Sequence, residues 1–133
     1  MNGVFVDTSG LYAWLDRADR NHGRAAEAWR SLLDSDLALV TTNYALTETV
    51  ALCQARAGLE LVRRLLRDVL PLLTVQWVSR SDHEAAMEEL LALDRREVSF
   101  VDCVSFGAMR HLGLTRAFAT DSHFQERGFQ CIP

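Results

Sequence analysis

Lysine is missing from this chain altogether, and its 14 basic residues are all arginines. Any chemistry that needs a lysine ammonium is therefore excluded, and a side chain that grips phosphate must do so through a guanidinium. Proline occurs twice and glycine seven times in 133 residues. That is too little for a flexible linker, and no internal repeat or low-complexity tract is present, so residues 1–133 read as one domain. Long apolar runs are also missing. The stretch Val69 to Val75, VLPLLTV, falls far short of the ~18 residues of a membrane span. With no basic region preceding an apolar one at the N-terminus, the expectation is a soluble cytoplasmic protein without a secretory signal or a membrane partner. The three cysteines, Cys53, Cys103 and Cys131, are odd in number and scattered. They match neither a disulfide framework nor a zinc spacing and read as reduced core residues.

What is present is a good core former, with 49% hydrophobic residues. The formal charge is −4, from 18 acids against 14 arginines, which by itself argues against a protein that coats nucleic acid. Four acids stand apart, however. If these four bind metal, the remaining fourteen acids balance the fourteen arginines and the negative charge belongs to one site.

The stretch Ser99 to Met109, SFVDCVSFGAM, carries the first of these acids. If it is a helix, Val101, Val104, Ser105, Ala108 and Leu112 share one face, and Phe106 and Met109 lie on the same stripe as Asp102. Asp102 is then a carboxylate among apolar neighbours, which costs several kcal/mol or more unless a cation, donors or a proton compensates it. Ser99 and Asp102 also fit a capping box, and the stretch alone does not choose between a cap and a site.

From the N-terminus, Gly3 to Val6 reads as a buried strand ending at Asp7, and Asp7-Thr8-Ser9 opens a helix with Leu11, Tyr12, Trp14 and Leu15 on its apolar side. A polar loop from Asp16 to Asn21 leads to a second helix from about His22, with Ala25, Ala28, Trp29, Leu32 and Leu33 at helical spacing. Leu37 to Thr41 reads as a second strand, and Thr42 or Asn43 caps the next helix. There Glu48 shares a face with Ala45, Leu52 and Ala55, an unusual place for a solvated acid, although a partly exposed edge position also accounts for it. Gly58 ends that helix. The next runs from Leu59 to about Leu70 with Val62, Leu65, Leu66 and Val69 inward and Arg63, Arg64 and Arg67 outward. Pro71 closes it, and Leu72 to Val78 reads as a third strand. Ser81 and Glu84 form a capping box for a helix to about Asp94, with Ala86, Met87, Leu90, Leu91 and Leu93 apolar and His83 exposed. His111 and Gly113 mark the end of the Asp102 helix, Ala117 to Thr120 is a fourth strand ending at Asp121, and Cys131 and Ile132 form a last short one.

Strands alternating with helices predict an α/β protein, a three-layer α/β/α arrangement around a mostly parallel sheet of four to five strands. Ligands are then expected at the carboxyl ends of the strands, where Asp7 and Asp121 fall.

VFVDTSGLYAWL, TTNYALTETVAL, SFVDCVSFGAMRHLG and AFATDSHFQERGF, in this order, resemble the PIN domain, and within it the small VapC-type toxin ribonucleases. The resemblance covers nearly the whole chain. It implies the PIN fold and a metal site built from Asp7, Glu48, Asp102 and Asp121, with Thr8 or Ser9 helping to hold it. It also implies a metal-dependent endoribonuclease acting on structured RNA and leaving 5′-phosphate and 3′-hydroxyl ends, a cognate antitoxin partner, and a homodimer. Leu11, Tyr12, Trp14 and Trp29 add more large apolar surface than one small core needs, which also favours a dimer. Hard oxygen ligands without a His or Cys cluster suit Mg²⁺ or Mn²⁺. Two other functions compete. Haloacid-dehalogenase-like phosphatases and response-regulator receivers also place an acidic Mg²⁺ site after the first strand, but both use a lysine, and Ser9 stands where the phosphatases need a second Asp. A non-catalytic module that binds RNA or protein is separated from a nuclease only by assay.

Overall fold

The computed structural model describes residues 2–133. Five short strands, β1 (Gly3–Val6), β2 (Ala38–Thr42), β3 (Thr74–Gln76), β4 (Arg116–Phe118) and β5 (Gln130–Ile132), form one sheet in the order β3-β2-β1-β4-β5. Every neighbouring pair is parallel. β1 takes the centre because all four of its residues are apolar or small and buried, as a strand covered on both faces requires. Its alternation sends Val4 and Val6 into one apolar cluster and Phe5 into the other.

The Val4 side is covered by α1 (Thr8–Leu15), α2 (His22–Leu33), α3 (Asn43–Ala57) and α4 (Leu59–Arg64), and the Phe5 side by α5 (Arg80–Leu93), α6 (Phe100–Leu112) and the short α7 (His123–Glu126). Leu11, Tyr12 and Trp29, expected to be surplus surface, are core residues, and Trp14 stacks on Trp29 with ring centroids 4.9 Å apart. The first two helices therefore give no support to a dimer. α1 lies very close to β4. A Cβ on Gly10 would stand 2.4 Å from the Phe118 carbonyl oxygen, so only glycine allows the approach.

The structure corrects several element boundaries. The helix expected to run from Leu59 to Leu70 is α-helical only to Arg64, then widens into a π-turn over Leu65–Val69 and a 3₁₀ turn over Leu70–Leu72. The wider turn keeps Leu65 and Val69 inside and swings Leu66 into solvent. Pro71 sits in that 3₁₀ turn, so β3 is three residues on the sheet edge rather than Leu72 to Val78. α5 begins two residues earlier than expected, because Ser79 and Asp82, not Ser81 and Glu84, form its capping box. Glu84 instead pairs with Arg80 on the surface. Met87 and Leu91 of α5 are exposed, and His83 is half-buried against Tyr44 and Phe100 rather than exposed. All three cysteines are free, Cys53 and Cys103 buried and Cys131 half-buried. Among the described residues no helix is long and apolar enough to cross a membrane.

Candidate metal centre

Asp7 and Asp121 stand at the carboxyl edge of the sheet, and Asp102 on α6 and Glu48 on α3 lie close enough to interact with them electrostatically. Asp7 leaves β1 in extended conformation and becomes the N-cap of α1, with Oδ2 accepting from the Ser9 backbone N–H at 3.0 Å and the Ser9 hydroxyl at 2.6 Å. The Ser9 oxygen in turn accepts from the Thr120 backbone N–H at 3.0 Å. One serine thus links the end of β1 to the end of β4. Asp121 follows β4, and its Oδ1 accepts from the His123 backbone N–H at 2.9 Å, a turn that returns the chain over the site.

Asp102 resolves the choice left open by its sequence by doing both things. It is the third residue of α6, where the Ser99 hydroxyl accepts from its backbone N–H and its Oδ2 accepts from the Ser99 N–H at 3.2 Å, a complete capping box. The same Oδ2 lies 2.9 Å from His123 Nδ1. A carboxylate only accepts, so Nδ1 carries the proton. Asp102, Asp121 and His123 each offer a ligand atom, all within 4.8 Å of one another.

The electrostatics join these residues to the other two. Burial pushes the Asp7 carboxyl up to about 7; the two Ser9 hydrogen bonds oppose this, and the charges of Asp121 and Asp102 add to it. Partial desolvation raises Asp121, with the Asp102 charge adding to it against the His123 N–H. Glu48, on α3, is exposed as a whole residue, yet desolvation of its carboxyl and the Asp102 and Asp121 charges raise it. A Thr8 hydrogen bond would lower Glu48. The Thr8 hydroxyl has one proton, however, and it lies 2.9 Å from both the Ala45 carbonyl and Thr49 Oγ1 on α3. Thr8 therefore anchors α1 to α3, and of the two hydroxyls Ser9 is the one that holds Asp7.

Each aspartate uses one oxygen on the protein: Oδ2 of Asp7, Oδ2 of Asp102 and Oδ1 of Asp121. The other oxygen of each has no protein hydrogen bond among the described residues. No arginine pairs with any of the four acids among those residues, and His123 is the one basic side chain that meets them. Such a donor set suits a hard divalent cation, which takes carboxylate oxygens and offsets their repulsion. His123 went unassigned in the sequence reading. Its signal was the spacing Asp-x-His after a strand, within a segment already singled out.

Comparison with known proteins agrees with this architecture. The family model of the PIN domain matches residues 4–130. The chain belongs to the PIN domain family. Among its relatives, the 23S rRNA-specific endonuclease VapC20 of Mycobacterium tuberculosis is 35% identical over 127 residues, 95% of each chain. The crystal structure of that VapC20, described as a sarcin-ricin loop cleaving toxin, superposes with a TM-score of 0.84 at 34% identity over 96% of both chains. FitAcB from Neisseria gonorrhoeae shares the fold, with a TM-score of 0.72 at 15% identity over 98% of this chain and 96% of the other.

Proposed function

We propose that residues 1–133 form a single PIN domain that acts in the cytoplasm as a metal-dependent endoribonuclease, the toxin of a toxin–antitoxin pair. In this reading Asp7, Glu48, Asp102 and Asp121 hold Mg²⁺ or Mn²⁺. The observation that carries it is the set of three aspartates that, among the described residues, each bind the protein through one oxygen and leave the other free, with no arginine to balance them. When bound, the cation supplies neutralisation of phosphate charge and acidification of water. The chain supplies orientation: Ser9 fixes the Asp7 carboxylate, Ser99 and His123 fix that of Asp102, and the His123 N–H fixes that of Asp121. Glu48 accepts none of the hydrogen bonds that fix the three aspartates.

Identity to VapC20 over nearly the whole of both chains supports a substrate of the same type, a structured ribosomal RNA hairpin like the sarcin–ricin loop. A chain that cuts its own cell's ribosomal RNA must be held inactive, which supports a cognate antitoxin. A homodimer is supported by Met87 and Leu91, one turn apart on α5 and exposed by 39% and 73%. Light scattering at micromolar protein is expected to give twice the mass of 15.0 kDa, and a monomer there rejects the dimer.

The decisive test is incubation of the purified protein with a synthetic sarcin–ricin hairpin. A single cut leaving a 5′-phosphate is expected in Mg²⁺ or Mn²⁺ and none in excess EDTA, with Asp121→Asn reducing the rate roughly 10- to 100-fold. Undiminished cutting in EDTA by nuclease-free protein would refute the metal mechanism.

A further inference from the structure

α3 and α6 converge on the acidic cluster and leave between them a groove of about 410 Å³ whose lining includes Asn43, Tyr44, Glu48, Phe100 and Val101. That volume is within the ~300–1,000 Å³ of small-ligand sites. The groove shares elements with the metal centre on both walls. Glu48 belongs to both, and Phe100 and Val101 directly precede Asp102 on α6. A strand held at the acids thus passes close to residues that line this groove.

Its chemistry selects one part of a nucleotide. No cation lines it and Glu48 stands at its rim, so it repels phosphate. Tyr44 and Phe100 line it edge to face, with centroids 6.0 Å apart, and His83, outside the lining, meets the two rings edge to face at 5.8 and 4.9 Å and is hydrogen-bonded through Nδ1 to the Tyr44 hydroxyl. At the other end, Asn43 Oδ1 accepts from the Val78 backbone N–H at 2.8 Å, which sets the orientation of the amide. Its Nδ2 donors have no protein partner among the described residues.

We propose that this groove is a base-binding subsite of the nuclease, seating an unpaired nucleobase next to the cut phosphodiester, stacked on the Tyr44–Phe100 wall with Asn43 Nδ2 donating to its acceptor edge. The proposal rests on the ribonuclease reading above. Stacking tolerates any base, and the paired amide donors favour one that presents a carbonyl or ring nitrogen. A base inside a duplex is not available to the groove, so the subsite makes cutting depend on a loop or bulge.

The test compares the parent, Phe100→Leu and Asn43→Asp on the sarcin–ricin hairpin, and on the same hairpin made abasic at each nucleotide flanking the cut, in Mg²⁺. Phe100→Leu keeps apolar volume but removes the ring. Asn43→Asp keeps the acceptor for Val78 but removes the donors. Both variants are expected to lower kcat/KM on the intact hairpin, Phe100→Leu by roughly 5- to 100-fold. Neither is expected to lower it further on the RNA whose abasic site falls at the groove. Equal losses on intact and abasic RNA, or no loss at all, overturn the subsite while leaving the nuclease reading in place. Unchanged cutting with altered self-association assigns the groove to a second copy of the chain and overturns it too. A parent that cuts neither RNA overturns the nuclease reading and this inference together.

Discussion

Ser9 is the smallest part on which the centre depends. Its hydroxyl donates to Asp7 and accepts from Thr120, so the first acid and the loop carrying the fourth are set by one side chain. Asp7, raised to about 7 from 3.8, holds a proton in the folded metal-free chain at pH values where the unfolded chain has lost it. Stability from this group is therefore complete below about pH 4 and falls as pH rises through about 7, by as much as ~4 kcal/mol. Asp7→Asn caps α1 as well as aspartate does. In EDTA it is expected to melt higher than the parent at pH 8 and alike at pH 4, and in Mg²⁺ to cut no RNA; equal melting at both pH values would show that Asp7 carries no such penalty. The four acids were legible because each lies on or beside an apolar element, where a solvated carboxylate is out of place. The choice between Thr8 and Ser9 was not, since both follow Asp7 and only the ~100° turn per helical residue decides which faces it. His123 was hidden for a similar reason: a turn around Asp121, not chain spacing, carries it to Asp102.

At the scale of elements, α6 does two jobs with one carboxylate, and two variants separate them. Ser99→Ala removes only the cap hydroxyl and is expected to cost about 1 kcal/mol of stability while leaving cleavage within a few fold. Asp102→Asn is expected to abolish cleavage. Its lost cap is offset in EDTA by relief of the charge on Asp7, Glu48 and Asp121, so its urea midpoint falls no further than that of Ser99→Ala. A much larger fall would make Asp102 a structural residue first. Periodicity revealed most of the helices and all five strands, but not their edges. Ser79-Arg80-Ser81-Asp82 and Ser81-Asp82-His83-Glu84 are overlapping capping frames, and the first wins where Asn43 holds the Val78 N–H just ahead of it. That is a contact across 35 residues, invisible to a local pattern. The π-turn at Leu65–Val69 was equally unreadable, because an ordinary helical stripe of leucines fits the same letters.

At the scale of the whole molecule, the central strand is the one made first. β1 comprises residues 3 to 6, but its partner on one side, β4, begins at Arg116, and β5 follows only at Gln130. Asp7 likewise waits for Asp121 and for the Thr120 N–H that holds Ser9. Contacts this distant along the chain form late, after most of the loop entropy has been spent. A chain cut after Thr115 lacks β4, β5 and the fourth acid, and is expected to be digested readily by pulse proteolysis and to leave the hairpin RNA intact; a protected or active fragment would show that the half-sheet suffices. With the ribosomal RNA substrate proposed above, this ordering has a consequence for the chain's own synthesis. Translation at ~5–20 residues per second delivers the last acid seconds after the first. Until then the ribosome is making a chain that has no assembled centre with which to attack it.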